Sequence, residues 1–277
     1  MGQIIAVTNQ KGGVGKTTTS VNLAASLAAT KRKVLLVDAD PQGNATMGSG
    51  IDKNELEHSA YDLLMGKQPA SEIIALSEQG GYDLLPSNSD LTAAEVQLLE
   101  TEQREQALHQ ALQEIKADYH YIIIDCPPSL NMLTVNALAV ADSVLIPTQC
   151  EYYALEGLSA LLETVEQIRQ NLNPQLKIAG LLRTMFDPRN RLSTDVSAQL
   201  TEHFGDLVYR TVIPRNVRLA EAPSFGLPAL IYDKYSRGAQ AYLALAGEIL
   251  RREKMIHSSK DSKGMGYNGA QTTDSGN

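Results

Sequence analysis

A glycine-rich turn near the N-terminus limits the possible folds of this chain more than any other feature. The stretch QKGGVGKTTT, residues 10–19, follows the apolar run QIIAVTN and precedes a helical pattern that begins at Thr17. A strand, a glycine-rich turn and a helix in that order are the context of a phosphate-binding loop, in which backbone N–H groups and the helix N-terminus attract phosphate oxygens. The sequence therefore predicts a P-loop within an α/β fold.

The loop departs from the usual pattern at one position. The pattern G-x-x-x-x-G-K-[ST] is matched by Gly15, Lys16 and Thr17. It expects glycine at position 10, where this chain has Gln10 followed by Lys11. By the chemistry of the pattern, Lys16 reaches the β- and γ-phosphates and the Thr17 hydroxyl ligates Mg²⁺. The residues alone leave Lys11 as a solvated surface lysine.

Two acidic strand ends could complete the phosphate site. The run YIIID brings Asp125 to the carboxyl end of a buried strand, where ligands bind in open α/β sheets, and there it would hold Mg²⁺ through water. In VDADPQGN, Asp38 and Asp40 end another strand before a turn set by Pro41 and Gly43. One of these two carboxylates could orient a water for attack on the γ-phosphate. The pattern fits an Asp-Pro turn that closes the strand equally well.

Short apolar runs that alternate with helical stretches predict the fold class. The runs that read as strands are 3–9, 33–40, 82–87, 119–126, 142–149, 176–184 and 206–214. The stretches between them include a long helix predicted over 90–116, with Thr92 and Glu95 as a capping box. This alternation predicts a mostly parallel, twisted sheet with helices on both faces.

Composition favours one cytoplasmic domain. The chain has the composition of an ordinary globular protein, with 43% hydrophobic and 20% charged residues. No repeat or linker divides the sequence, so residues 1–256 are predicted to form one domain. The polar segment 257–277 is predicted to be disordered. No run approaches the roughly 18 apolar residues of a membrane-spanning helix, and no signal peptide is recognisable. Cys126 and Cys150 end apolar runs, so we expect both to be core residues.

The charge of the chain is distributed unevenly. The formal net charge is −8, yet residues 180–256 carry 11 Lys and Arg against 8 Asp and Glu, whereas residues 1–179 carry 11 against 22. An excess of positive charge in the C-terminal third is compatible with a local basic face that attracts a polyanion.

Three motifs together resemble one known family. KGGVGKTTT, DADPQGN and IIIDCPPS closely resemble the motifs of the deviant Walker A ATPases, a MinD-like class of P-loop NTPases, and within them the ParA/Soj-type chromosome and plasmid partition proteins. The resemblance covers about residues 3–254 and includes EYYALEGL, LLRTMFDPRNRLS and TVIPRNVRLAEAPSFG. It implies a Mg²⁺-dependent ATPase of the short form, without an N-terminal DNA-binding domain, because the first strand begins at once.

The resemblance also assigns roles to individual residues. It implies that Lys11 reaches across a nucleotide-sandwich dimer to phosphate in the partner's site, much as an arginine finger does. It selects Asp40 rather than Asp38 as the carboxylate that supports hydrolysis, beside Lys16, and it assigns Mg²⁺ to Thr17 and Asp125. The nucleotide-binding residues that it implies are Lys11, Gly12, Gly13, Val14, Gly15, Lys16, Thr17, Thr18 and, around adenine, Met185, Pro214 and Asn216.

Two arginines match family positions implicated in binding DNA without sequence preference, namely Arg189 and Arg218. Further basic residues that could extend this surface are Arg215, Lys234, Arg237, Arg251 and Arg252. Singly, an arginine is more often a solvated surface residue; together they account for the basic excess of the C-terminal third. The implied partners are nonspecific double-stranded DNA, a second copy of the chain held by ATP, and a ParB-type centromere-binding protein. The implied location is cytoplasmic and nucleoid-associated, without membrane.

Three alternatives stay open. MinD-type ATPases share the loop but bind membrane through a C-terminal amphipathic helix, whereas the end of this chain is polar and rich in glycine. Amidoligases such as dethiobiotin synthetase use the same fold to activate a carboxylate with ATP, although they lack the later ParA-type motifs. A nucleotide-gated DNA-binding module, in which hydrolysis is incidental, would share every motif.

Overall fold

Eight strands form one sheet in the computed structural model, which describes residues 2–264, the side chains of 256–264 excepted. The strands are β1 Gln3–Val7, β2 Val34–Asp38, β3 Ala75–Ser77, β4 Tyr82–Leu85, β5 Tyr121–Asp125, β6 Ser143–Gln149, β7 Lys177–Phe186 and β8 Val208–Pro214. Their spatial order is β3-β4-β2-β5-β1-β6-β7-β8. Every neighbouring pair is parallel except β3 with β4. The predicted mostly parallel sheet is confirmed.

Helices cover both faces of this sheet, as predicted. They are α1 Lys16–Ala29, α2 Asn44–Gly48, α3 Ala60–Leu64, α4 Ala70–Ile73, α5 Leu91–Gln97, α6 Ala107–Gln113, α7 Met132–Val140, α8 Ala154–Asn171, α9 Arg191–Phe204, α10 Val217–Glu221, α11 Ala229–Tyr232 and α12 Arg237–Gly264. Short 3₁₀ segments lie at Leu98–Glu100, Arg104–Gln106, Lys116–Asp118, Gly205–Leu207 and Ala222–Phe225.

Two hydrophobic cores lie on opposite faces of the sheet because successive side chains of a strand point to opposite sides. In β5, Ile122 and Ile124 belong to the core that packs against α5 to α9. Ile123 belongs to the core that packs against α1 and α12. A central strand buried on both faces must be apolar at every position, which explains the run YIII before Asp125. The first charged side chain of β5, that of Asp125, therefore stands at the carboxyl edge of the sheet.

The register brings the functional segments to that same edge. Val7, the last residue of β1, pairs with Asp125 of β5, and Asp125 pairs in turn with Asp38 of β2. The phosphate loop leaves β1 directly beside these two aspartates. Ligands of open α/β sheets bind in this crevice, outside the carboxyl ends of the strands.

The single long helix predicted over 90–116 is wrong. The segment is divided into α5, α6 and 3₁₀ turns, and Gln103 between them has a left-handed φ of 55°. The buried Asn136 of α7 stabilises this break, because its side-chain amide donates to the Arg104 carbonyl at 2.8 Å and its oxygen accepts from the Leu108 N–H at 3.1 Å. The expected capping box is also absent: Glu95 accepts instead from the Asn131 side chain.

Two further details differ from the sequence-based expectation. The antiparallel edge strand β3 was not predicted, since three residues are too few to carry a periodic signal. Helix α12 continues to Gly264, so the predicted tail boundary at residue 257 falls inside this helix. The remainder of the predicted disordered tail, 265–277, lies outside the described residues. Among the described residues, no helix has both the length and the apolar character that crossing a bilayer requires.

Candidate functional site

The phosphate loop between β1 and α1 is shaped by its glycines. Gly13 and Gly15 have φ values of 74° and 88°, in the left-handed region where a side chain is strained. A Cβ at Gly12 or Gly13 would meet no atom within 4 Å, so the loop borders open space. Backbone N–H groups in such a turn, followed by the N-terminus of α1, form a cradle for phosphate oxygens. The loop therefore fits the phosphates of a nucleotide.

Lys16, the first residue of α1, lies inside this loop. Its side chain is buried, and its ammonium donates to the Lys11 carbonyl at 3.3 Å. Burial lowers the pKa of Lys16, while the nearby carboxylates of Asp125 and Asp40 favour its charged form. A buried ammonium on a long hydrogen bond to the loop's own backbone is suited to move onto a phosphate oxygen.

Thr17 and Asp125 supply two adjacent oxygen ligands. The Thr17 hydroxyl donates to one oxygen of the Asp125 carboxylate at 2.7 Å, and the Ser20 hydroxyl donates to the other at 2.7 Å. Burial, and then repulsion by the Asp38 carboxylate, raise the pKa of Asp125. A bound divalent cation would offset that repulsion. A hydroxyl beside a carboxylate is the type of ligand set that Mg²⁺ takes in P-loop enzymes, so the residues fit this metal.

The two carboxylates of VDADPQGN have different environments. Asp38 is fully buried and accepts three hydrogen bonds: from the Thr46 N–H at 2.8 Å, from the Thr46 hydroxyl at 2.7 Å and from the Asp40 N–H at 3.2 Å. Asp40 accepts from the Gln42 N–H at 2.9 Å. Asp38 thus fixes the turn into α2, whereas Asp40 is also buried and its carboxylate has one described hydrogen bond.

Lys11 stands exposed at the mouth of the loop. Its ammonium forms an ion pair with Glu151 at 2.5 Å, and both side chains are 45% exposed. The backbone below it is fixed by Asn9, whose side-chain oxygen accepts from the Lys11 N–H at 2.9 Å and whose amide donates to the Pro147 carbonyl at 2.8 Å. The Lys11 ammonium therefore lies at the surface, and its partner Glu151 is 140 residues further along the chain.

A cavity of about 180 Å³ lies beside the loop. Gly15 and Thr18 line one side, and Met185, Pro214 and Asn216 line another, so the three residues expected around adenine are brought together next to the phosphate loop. Met185 has a φ of 49°, which is strained for a side chain of this size and is typical of functional sites.

Four of the arginines expected on the basic face differ in their surroundings. Arg189, Arg215 and Arg218 are exposed and follow the carboxyl ends of β7 and β8. Arg252 was expected to extend this surface, but it is structural: it donates to the Asp206 and Val208 carbonyls and its guanidinium lies 4.2 Å from the Tyr209 ring.

Sequence reasoning missed two residues of the site that the structure makes prominent. Ser20 lies one helical turn beyond Lys16 and Thr17, so helical spacing alone could have placed its hydroxyl on the same face. Glu151 has no local signal, because it meets Lys11 only through the arrangement of the sheet. Both cysteines are buried and free, as expected for core residues.

Known proteins resemble this chain over most of its length. A family model described as an AAA domain matches residues 2–178. An uncharacterised protein of Pseudomonas putida is 66% identical over 92% of this chain and 97% of its own length. The sporulation initiation inhibitor protein Soj of Bacillus subtilis is 55% identical over 90% of this chain and 98% of its own length. The chromosome partitioning protein ParA of Caulobacter vibrioides is 51% identical over 91% and 95%.

Solved structures share the fold. A Mycobacterium smegmatis structure titled cobyrinic acid a,c-diamide synthase, with bound ATP analog and magnesium, is 39% identical with a TM-score of 0.81 and covers 92% of this chain and 96% of its own. A putative plasmid partition protein of Borrelia burgdorferi bound to AMPPNP is 27% identical with a TM-score of 0.76, over 91% and 100%. The cell division ATPase MinD of Pyrococcus furiosus is 26% identical with a TM-score of 0.76, over 91% and 99%.

Proposed function

Because this chain belongs to the ParA/Soj family of P-loop ATPases, we propose that it is a chromosome-partitioning ATPase. It hydrolyses ATP, with Mg²⁺ as its metal. The single observation that carries the assignment is the geometry of the phosphate loop. The Thr17 hydroxyl lies 2.7 Å from the Asp125 carboxylate beside Lys16, whereas the Lys11 ammonium pairs with Glu151 at the surface.

In this proposal, different residues of the chain bind the phosphates, hold the metal and orient the attacking water. Lys16 and the N–H groups of residues 12–18 bind and orient the phosphates, and Thr17 with Asp125 holds the metal. Bound Mg²⁺ neutralises charge on the β- and γ-phosphates. Asp40 orients the attacking water, and the cavity of Met185, Pro214 and Asn216 holds the adenine and so fixes the nucleotide in line.

A second copy of the chain completes each site. In the proposed ATP-bound sandwich dimer, Lys11 leaves Glu151 and contacts phosphate in the partner's loop. The exposure of Lys11 supports this step, since a surface ion pair is weak, about 0–1 kcal/mol, and opens readily. Nucleotide state thereby determines oligomeric state, because ATP favours the dimer and hydrolysis removes the contact.

The variant Lys11→Ala tests the dimer. We expect it to bind ATP but to remain monomeric at concentrations where the wild type dimerises, because the contact between subunits is lost; light scattering with ATP measures this. Glu151→Gln is the matched control, since it removes the intrachain pair but keeps the lysine, and it should still dimerise. ATP-driven dimerisation of Lys11→Ala equal to that of the wild type would rule out the bridging role.

Nonspecific double-stranded DNA is the proposed surface on which the dimer acts. Arg189, Arg215 and Arg218 are exposed at one edge of the sheet and would contact phosphates without reading bases. A ParB-type centromere-binding protein then stimulates hydrolysis, which dissolves the dimer and releases DNA. The proposed location is accordingly the nucleoid, in the cytoplasm.

The variant Arg218→Glu tests the DNA surface. Loss of one phosphate contact should weaken duplex binding at about 0.15 M salt by at least roughly fivefold and make the salt dependence shallower by about one unit of slope. ATP-driven dimerisation should persist. Arg169→Glu, on α8 across the sheet, is the control and should bind DNA like the wild type. Unchanged affinity of Arg218→Glu at moderate salt would remove this surface.

One assay tests the function as a whole. ATP turnover is measured with and without duplex DNA and with and without the ParB-type partner, and we expect marked stimulation only when the partner is present. ATP-dependent DNA binding without stimulated turnover would favour a nucleotide-gated DNA module instead. ATP-dependent binding to anionic vesicles, rather than to DNA, would favour the MinD-like alternative.

A further inference from the structure

Arg218 is held between two carboxylates of its own chain. One guanidinium nitrogen, Nη1, lies 2.8 Å from Glu221 Oε2, and Nε lies 3.4 Å from Asp233 Oδ2. Glu221 is itself oriented by the Tyr232 hydroxyl, which donates to the same oxygen at 3.3 Å. The arginine therefore sits in a local group with one positive and two negative charges. A DNA phosphate would not be attracted to this group as it stands.

Arg189 is engaged in a similar way by a different segment. Its Nε and Nη2 donate to the two oxygens of Asp187 at 2.9 and 2.8 Å, which is the fork-to-fork geometry that a phosphate would use. Asp187 also accepts from the Arg189 N–H at 3.0 Å, so a turn fixes the carboxylate. Hydrogen bonds from Arg189 hold the pKa of Asp187 near 2, with a smaller contribution from Arg215, so this competitor stays charged.

These ion pairs contribute little to the stability of the fold. The Arg189 side chain is 88% exposed and the Arg218 side chain 49% exposed, and exposed pairs are largely screened by water and salt. The ion pairs matter more for the affinity of a phosphate ligand, because a phosphate must first displace the carboxylate that already occupies the same guanidinium nitrogens.

We propose that Asp187 and Glu221 act as internal competitors of DNA phosphate, each occupying the arginine that would otherwise bind the duplex. This inference rests on the proposed DNA-binding function and adds a regulation to it. The two carboxylates keep each arginine contact weak, so that the protein leaves DNA readily once its dimer dissolves. Glu221 and Asp187 thus set the affinity of the DNA surface.

The amide variants Glu221→Gln and Asp187→Asn test the inference. Each removes the charge but keeps a hydrogen-bond acceptor, for the Tyr232 hydroxyl in one case and for the Arg189 N–H in the other. Removing one competing charge should raise affinity for duplex DNA by roughly fivefold at about 0.15 M salt, because the phosphate then displaces a neutral amide and not a carboxylate. Binding of the full chain to two unrelated duplexes is measured with ATP and Mg²⁺ over a range of salt concentrations.

A matched control exists on the opposite face of the sheet. Glu166 of α8 pairs with Arg169 at 2.9 Å, with the same spacing of three residues as Arg218 and Glu221 and with both side chains about half exposed. Glu166→Gln removes the same charge from the chain far from the proposed surface and should leave DNA affinity unchanged. A double variant, Glu221→Gln with Arg218→Ala, should lose the gain, because the freed arginine is no longer present.

The outcomes separate this inference from the function on which it rests. Wild-type affinities in the amide variants, an equal gain in Glu166→Gln, or a gain that survives Arg218→Ala would each overturn the competitor role while leaving DNA binding intact. If wild-type protein with ATP fails to bind duplex, the DNA-binding function itself is wrong and the competitor role falls with it. If the wild type binds duplex and Arg218→Glu binds equally well, DNA lies on another surface, and the competitor role of Glu221 is wrong while DNA binding stands.

Discussion

Lys16→Ala is expected to lose ATP binding and, with it, every ATP-dependent property of the protein. The Lys16 ammonium is buried inside the phosphate loop, where water screens it poorly, and its one described hydrogen bond is a 3.3 Å contact to the Lys11 carbonyl. A charge-assisted hydrogen bond of this kind is worth roughly 1.5–3 kcal/mol, which corresponds to a loss of at least about tenfold in nucleotide affinity. The variant also lacks the positive charge of Lys16 that would stabilise the transition state, so turnover should fall by a further factor of roughly 100 or more.

Binding of a fluorescent ATP analogue, followed by ATP turnover, measures both losses. Lys177→Ala is a suitable control, because this lysine is exposed at the first residue of β7, the opposite end of the sheet from the loop. It should bind and hydrolyse ATP normally. Normal ATP-dependent DNA binding by Lys16→Ala would contradict the assignment of the loop.

Asp40→Ala is expected to separate nucleotide binding from hydrolysis. The described hydrogen bond of the Asp40 carboxylate is to the Gln42 N–H and not to the phosphate loop, so ATP should still bind. A carboxylate that orients and deprotonates the attacking water contributes roughly 10²–10⁴ to the rate, and turnover should fall by about that factor. The ATP-bound dimer, and its contact with DNA, should consequently persist for longer.

Two measurements check this prediction: single-turnover hydrolysis and the rate at which the protein leaves duplex DNA after dilution. Asp40→Asn is a useful companion, since its oxygen can still accept from Gln42 while it cannot take a proton from water. Both variants should hydrolyse slowly. Brisk turnover in Asp40→Ala would move the catalytic role to another residue.

The environments of Asp38 and Asp40 illustrate what a local pattern cannot determine. Both residues stand in VDADPQGN, two positions apart, and the chemistry of the residues alone left their roles equal. The distinction comes from Thr46, whose N–H and hydroxyl both donate to Asp38. The Asp38 carboxylate is fully buried by this contact, so it is committed to the structure of the turn.

The predicted helix over 90–116 failed for the same kind of reason. Its residues have acceptable helical propensity, but the buried Asn136 requires partners, and the break at Gln103 supplies them as the Arg104 carbonyl and the Leu108 N–H. The need of a buried polar side chain for hydrogen-bond partners outweighs the weak helical propensity of the segment. Neither the break nor its partner can be read from the segment itself.

The sequence by itself determined the strands and the glycine turn, and it predicted the side chains of the phosphate site. These features depend on near neighbours: continuous apolar runs form strands buried on both faces, and glycine alone adopts the turn of the loop without strain. The resemblance carried by the motifs extended this to ATP and Mg²⁺. The seven predicted strands are all present within a few residues of their predicted bounds.

Only the tertiary structure decided which distant residues meet. The pair Lys11 and Glu151, for example, is separated by 140 positions. Such contacts depend on the register and order of the strands, which bring the carboxyl ends of β1, β5 and β6 side by side. Opposite charges far apart in sequence pair only where the fold brings them within reach, so the partner of Lys11 is a property of the assembled sheet and not of the local sequence.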